Sequence, residues 1–234
     1  MLNFVNLSYF SNTKIVHQNI SNALKIASRK YSKGNLVDLG CGFKPYYSLF
    51  ESNIESYFGV DFNEAAEKHY GEDTKPDLVA DICNTKLSDN SFDTLLSTQV
   101  MEHINNTESY LKECYRILKP SSFGIFTVPF SWECHAEPYD FYRFTKHGLK
   151  YQFERNGFEV IEIKPLEGAY ATILQLTITS IYGSTIKQSI PVRIYRKLQR
   201  LLFVPILNIL ALKLDRYFYN EKLCLNYLVV VKKN

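Results

Sequence analysis

Two short apolar runs, each ending in residues suited to touching a ligand, constrain this chain more than anything else in it. Leu36 to Leu39 reads as a buried strand that closes on Gly40-Cys41-Gly42, and Tyr57 to Val60 as a second strand that closes on Asp61. Glycines one residue apart let the backbone turn sharply and let a ligand approach it closely. An ionised carboxylate at the next strand tip offers only acceptors, which suits the two donors of a ribose diol. The combination predicts a nucleoside site on a doubly wound α/β sheet. Dinucleotide folds add a third glycine three residues on, where this chain has Pro45, and here an acid, Asp38, precedes the turn.

The remaining segments alternate as such a sheet requires. Residues 12–31 carry Ile15, Ile20, Leu24 and Ala27 near helical spacing, with Ser11 or Asn12 as cap, and predict a helix that lies over the pocket or beside the sheet. Asp77 to Ile82 predicts the third strand. Ser91 to Ile104 predicts the fourth and the turn after it. Tyr110 to Pro120 predicts a helix capped by Asn106 or Thr107, and Gly124 to Pro129 the fifth strand. Thr145 caps a further helix that stops at Gly157, followed by strands at Phe158–Ile163 and Leu225–Val231.

The run Asp38-Leu39-Gly40-Cys41-Gly42, then Asp61, Asp81-Ile82, the turn Gln99 to Ile104 and the strand Gly124–Pro129 resembles the Rossmann-like S-adenosylmethionine-dependent methyltransferases sometimes called type 11. Several ordered motifs are more specific than any one of them. The resemblance covers residues 34–164 and the last ten. It implies a mostly parallel seven-stranded sheet with an antiparallel last strand, flanked by helices, and S-adenosyl-L-methionine as cofactor. Asp38, Gly40, Cys41 and Gly42 would cradle the methionine portion and ribose, with Asp61 on the ribose hydroxyls. Asp81 would accept from the adenine amino group, Ile82 would pack on its ring, and Ser97 and Thr98 would line the sulfonium side.

The expected organisation is a helical cap at 1–33, a core at 34–164 with 224–234, and a helical insertion at 165–223. About 60 residues separate the last two strands, far more than a hairpin needs. Ala169 to Ile186 carries no charge, and Leu201 to Leu214 is almost wholly apolar, interrupted by Pro205, Asn208 and Lys213. The second run is shorter than the roughly 20 residues of a spanning helix. It predicts either a buried helix or, with Arg193, Arg196, Lys197 and Arg200 before it, an interfacial helix on an anionic membrane face. The net charge of +3 is too small to argue for nucleic acid. Five scattered cysteines with no C-x-x-C argue against a disulfide framework or zinc motif and for a reducing cytoplasm. No signal-peptide order is visible at the N-terminus.

The loop after the fifth strand carries His135-Ala136-Glu137-Pro138-Tyr139-Asp140-Phe141-Tyr142-Arg143-Phe144-Thr145. It is similar to the His-x-x-Pro-x-Asp-x-x-Arg-x-Thr run of a methyltransferase subset associated with surface glycans and nucleotide sugars. His135 has the pKa range of a general base, and Asp140 could orient or replace it. Tyr139 and Arg143 are candidate substrate contacts. In the structural alternative Asp140 pairs with Arg143 and His135 bonds backbone. The Glu102-His103 pair is as consistent with structure as with catalysis. The expected activity is methyl transfer to an oxygen or nitrogen of a small acceptor such as a sugar, nucleotide sugar or lipid-linked glycan precursor. Alternatives are a non-catalytic cofactor-binding protein, a membrane-surface module, and a nicotinamide-dependent oxidoreductase, against which Pro45 argues.

Overall fold

The computed structural model describes residues 7–62, 75–182 and 189–234. Helix α1 (Lys14–Tyr31) leads into β1 (Asn35–Leu39), a short helix α2 (Tyr47–Phe50), β2 (Ser56–Asp61) and β3 (Leu78–Val79). Then come β4 (Phe92–Thr98), α3 (Thr107–Ile117), β5 (Leu118–Pro129), α4 (Lys146–Arg155) and β6 (Phe158–Pro165). The insertion forms α5 (Ala169–Tyr182) and α6 (Ile190–Tyr217) before β7 (Asn226–Lys233). The seven strands stand in the order β3-β2-β1-β4-β5-β7-β6. β7 is antiparallel to both neighbours and the other pairings are parallel. Strand order reverses between β1 and β4, the place where open α/β sheets bind ligands.

The period-two alternation of strand side chains builds two cores. Val37, Leu95, Phe126, Val229 and Val231 face α3 and α4, where Tyr110, Leu111 and Phe153 are fully buried. Leu36, Leu96, Ile125, Leu228 and Val230 face the opposite way, toward α1 and the insertion. A sheet buried on both faces explains why its strands bury consecutive apolar residues, Leu36-Val37 in β1, Leu95-Leu96 in β4 and Leu228 to Val231 in β7.

Local differences from the expectations have physical causes. α1 starts at Lys14 after Thr13, because the Ser11 hydroxyl accepts from the Thr13 N–H in a turn ahead of the helix. α1 packs beside the sheet. α3 ends at Ile117 rather than Pro120, since Leu118 already extends into β5. Asn106 and Thr145 do cap α3 and α4, accepting from the N–H groups of Ser109 and Gly148. β3 is only two residues long, because the Asp81 carboxylate turns the chain by accepting from the Cys83 N–H at 2.8 Å.

The insertion leaves β6 and re-enters β7 at the carboxyl edge of the parallel strands. Wholly buried Glu167 pins the re-entry by accepting from the N–H groups of Leu225 and Asn226. Two buried amides latch the helices to the N-terminal segment. Gln175 donates to the Asn12 carbonyl at 2.6 Å, and Asn208 to those of Tyr9 and Ser11 at 2.6 and 3.0 Å. α6 continues through Pro205 but buries only Val204, Asn208 and Ala211. The Leu201–Leu214 run is therefore not a buried helix. Leu201, Leu202, Phe203 and Ile206 are each more than half exposed. The stretch 183–186 of the uncharged run lies outside the described residues. Among the described residues no helix is long and apolar enough to cross a membrane.

Candidate functional site

The turn after β1 is tied down by its backbone. The N–H groups of Gly40 and Cys41 donate to the Val60 carbonyl at 2.8 and 3.1 Å, stitching the turn to the end of β2. Gly40 sits at φ +75°, and a Cβ there would lie 2.3 Å from a Val100 methyl carbon. Gly42 sits at φ +49°, and its missing Cβ would meet no atom within 4 Å. One glycine is required by a close neighbour, whereas the other opens a cradle. The Cys41 thiol is buried, and burial pushes its pKa far above the ordinary thiol range. Only its backbone is available to a ligand.

Asp61 completes the cradle. One carboxylate oxygen accepts from the Gly42 N–H at 2.8 Å and the other from the Phe62 N–H at 2.7 Å. Of roughly four lone-pair directions on a carboxylate, two remain for a diol. Asp38 lies beneath the turn, nearly inaccessible. One oxygen accepts from the Tyr57 hydroxyl, while the other is buried without a partner. Burial raises the Asp38 pKa to about 7 against the opposing pull of the Tyr57 hydrogen bond.

A cleft of about 900 Å³ opens above these strand tips, lined among others by Gly40, Asp61, Asp81, Ile82, Gln99 and Tyr139. Ile82 is buried in its floor and Asp81 exposed at its rim. Ser97 is not part of the wall. Its hydroxyl is buried, donates to the Leu39 carbonyl at 2.8 Å and accepts from Tyr110 at 2.7 Å. Thr98 also stays in the sheet, opposite Thr127. Gln99 takes their place, turned by a positive φ of 57°. His103, Asn105 and Asn106 extend the wall. The sequence left the Glu102-His103 pair open and gave no sign of Asn105 and Asn106, because a short helical turn at Met101–His103 decides which neighbour points in and which points out.

The loop after β5 supplies the opposite rim through Tyr139 and Phe141. Asp140 and Arg143 form the structural pair, with bonds of 2.6 and 2.8 Å. The guanidinium holds the Asp140 carboxyl far below the usual carboxylate range, so Asp140 is a poor base. Arg143 also donates to the carbonyls of Trp132, Glu133 and Tyr142. With its donors so engaged it fixes the loop rather than offering a clamp for an anionic substrate. His135 does not line the cleft. Its backbone N–H donates to Asp140 and its ring meets that of His103 edge-on at 4.8 Å. His103 does line it, with Nδ1 2.8 Å from the Tyr139 carbonyl. Burial, the largest cause, lowers the His103 pKa. Beside it Glu102 is fully buried and its pKa is pushed up to about 8 by burial.

Strand order, a glycine turn at the switch point and an acid at the second strand tip define a nucleoside-binding Rossmann-like domain. The family model described as a methyltransferase domain matches residues 37–126. An uncharacterized protein of Methanocaldococcus jannaschii is 30% identical over 162 residues, 68% of this chain and 69% of that one. A Mycolicibacterium smegmatis protein named a probable S-adenosylmethionine-dependent methyltransferase is 25% identical over 51% of this chain, which spans only 44% of it. The fold is that of a crystallised methyltransferase from Archaeoglobus fulgidus, with TM-score 0.56, 21% identity, and coverage of 91% of this chain and 94% of that one. It is also that of a Haemonchus contortus phosphoethanolamine N-methyltransferase solved with S-adenosylhomocysteine, with TM-score 0.54, 17% identity, and 99% and 60% covered. The chain belongs to the S-adenosylmethionine-dependent methyltransferases.

The residues fit that cofactor. Open space at Gly42 and free acceptor capacity on Asp61 suit a ligand with a ribose diol, and the buried, unpartnered oxygen of Asp38 places an acid beneath the turn, out of contact with the cleft. When bound, the cofactor supplies an electrophilic methyl group on a sulfonium. The Asp38 titration gives a sign. Ionised Asp38 attracts the cationic cofactor and protonated Asp38 does not. Affinity for S-adenosylmethionine is therefore expected to rise by up to about tenfold as pH climbs through about 7. Calorimetry on either side of that pH checks it, and Asp38→Asn flattens the profile. A flat profile in the unaltered chain contradicts the role.

Proposed function

We propose that this methyltransferase acts on an oxygen or nitrogen of a small acceptor: a sugar, a nucleotide sugar or a lipid-linked glycan precursor. The observation that carries the reading is the composition of the acceptor side of the cleft. Gln99, Asn105, Asn106 and Ser109 line the same cleft as Tyr139 and Phe141, with the Asn106 side-chain carbonyl oxygen already accepting from the Ser109 N–H. Neutral donors and acceptors beside aromatic faces suit a ring bearing hydroxyl groups. Gly40, Asp61, Asp81 and Ile82, read here as cofactor contacts, and the 130–145 loop all belong to the expected core, and Tyr139 and Phe141 of that loop bring aromatic rings to the same cleft. Gly42 leaves the cradle open, and Asp38 and Cys41 lie buried beneath it. A transfer assay with labelled methyl groups and a panel of free sugars, nucleotide sugars and amines tests it. Tyr139→Ala is expected to raise the acceptor KM while leaving cofactor affinity unchanged. Labelling of amines alone overturns the sugar reading.

A second observation bears on where the acceptor is met. From Ile190 to Leu214 the chain has five basic residues and no acid, and Leu198, Leu202, Ile206 and Leu210 are exposed along α6. A basic helix with an uncovered apolar face fits an anionic lipid surface. Co-sedimentation with vesicles rich in phosphatidylserine is expected. It weakens with salt and with Leu202→Asp/Ile206→Asp. Self-association through this face, with no vesicle binding, contradicts the lipid reading.

A further inference from the structure

Three ligating side chains, drawn from two separate segments, meet beside the cleft, which His103 alone of the three lines. Glu102, His103 and His135 each place one donor atom within 4.8 Å of the others. Glu102 Oε1 and His103 Nε2 are already 3.7 Å apart. Donors bound at about 2.0–2.2 Å around a tetrahedral ion stand about 3.4 Å from one another. Closing the set needs the widest pair to draw together by at most about 1.4 Å.

Glu102 supplies an independent reason to look for a ligand. It is wholly buried, and neither carboxylate oxygen has a hydrogen-bond partner. Buried polar atoms nearly always have a partner, and a carboxylate without one is costly. The Arg143 charge acts on it through space but does not supply a hydrogen bond. Arg143 is engaged with Asp140 and three backbone carbonyls, and no bond from it to Glu102 is made.

The histidines are oriented as ligands are. His103 Nδ1 lies 2.8 Å from the Tyr139 carbonyl, which selects the tautomer protonated there and leaves a lone pair on Nε2. His135 Nδ1 lies 3.2 Å from the Glu133 carbonyl and 3.3 Å from an Arg143 nitrogen. The guanidinium can only donate, so the Arg143 contact places the ring proton on Nε2, whereas the tautomer that donates to Glu133 presents Nε2 as a lone pair; ion binding selects the second. Asp140, 3.4 Å from His135 Nδ1, is held by Arg143 and balances that cation. The sequence spacing matches no standard zinc motif because the set is assembled by the β5 loop folding over the turn after β4.

We propose that Glu102, His103 and His135 form a binding site for one divalent transition-metal ion, with an open position toward the acceptor end of the cleft. Two imidazoles and one carboxylate suit zinc, manganese, cobalt or nickel. A three-ligand site with an open position is the arrangement of reactive rather than structural metal sites. His103 lines the cleft, so an acceptor hydroxyl could reach the ion, which lowers the pKa of a bound hydroxyl. This consequence rests on the sugar-like acceptor reading, whereas the ion site itself does not.

The test is titration of the full chain, freed of metal by a chelator, with Co²⁺ followed by visible absorption, and with Zn²⁺ by calorimetry. One ion per chain is expected, with ligand-field bands of nitrogen and oxygen donors. His103→Gln, Glu102→Gln and His135→Ala are each expected to weaken binding at least about tenfold. His135 is part-exposed and outside the cleft, so His135→Ala is expected to keep its affinity for S-adenosylhomocysteine, which shows that it is folded. No stoichiometric uptake, or uptake unchanged in a folded His135→Ala, overturns the proposal. So does an intense sulfur charge-transfer band, which would move the ion to exposed Cys134. A chain that binds the ion yet fails to label any hydroxyl acceptor leaves the site standing and sinks the acceptor reading alone.

Discussion

Asp61→Ala is expected to weaken S-adenosylhomocysteine binding by ~10²- to 10⁴-fold. The carboxylate has two tasks. It holds the Gly42 N–H at 2.8 Å and so keeps the turn open, and its remaining lone pairs face the cleft. Hydrogen bonds to a charged group contribute roughly 1.5–3 kcal/mol each, and a ribose diol would make two. At about 1.4 kcal/mol per factor of ten the loss falls in the stated range. Asp61→Asn should lose less, since it keeps one acceptor for Gly42. Calorimetry reads both, and an alanine variant with undiminished affinity removes Asp61 from the site.

Gly40→Ala is expected to lower the melting temperature by roughly 5–15 °C. A Cβ at φ +75° is strained by about 1–2 kcal/mol, and its position 2.3 Å from a Val100 methyl adds an overpacking cost of about 1–3 kcal/mol. In a chain of this size each kcal/mol shifts the midpoint by about 2–4 °C. The double variant Gly40→Ala/Val100→Ala separates the two causes. It removes the clash, keeps the backbone strain, and loses packing at a buried valine. An unchanged midpoint for Gly40→Ala contradicts the close approach of the turn to Val100.

The sheet was legible in the sequence because its physics is local. Apolar runs such as Leu36–Leu39 and Leu225–Val231 announce buried strands, and Asn106, Thr145 and Gly157 mark helix ends by side-chain or backbone chemistry. Part of the cleft lining was legible for the same reason, because Gly40, Asp61, Asp81 and Ile82 end or closely follow strands in sequence. What could not be read depends on contacts far apart in the chain. Ser97 leaves a strand end like a site residue but is captured by Tyr110 from α3 and by the Leu39 carbonyl. Glu102 and His103 are adjacent, and only a short helical turn sends one inward and the other to the cleft. His135 and Asp140 were weighed between catalysis and loop structure, and the Arg143 pairing decides for structure at Asp140. The apolar run in α6 could be read as apolar but not as uncovered, since composition does not name the partner.

The account turns on the strand tips of β1 and β2 holding an adenosyl ligand. Equilibrium titration of the purified chain with S-adenosylhomocysteine tests that most directly. One saturable site per chain is expected, displaced by S-adenosylmethionine, indifferent to nicotinamide dinucleotides and lost in Asp61→Ala. Absence of saturable binding in a folded chain contradicts it.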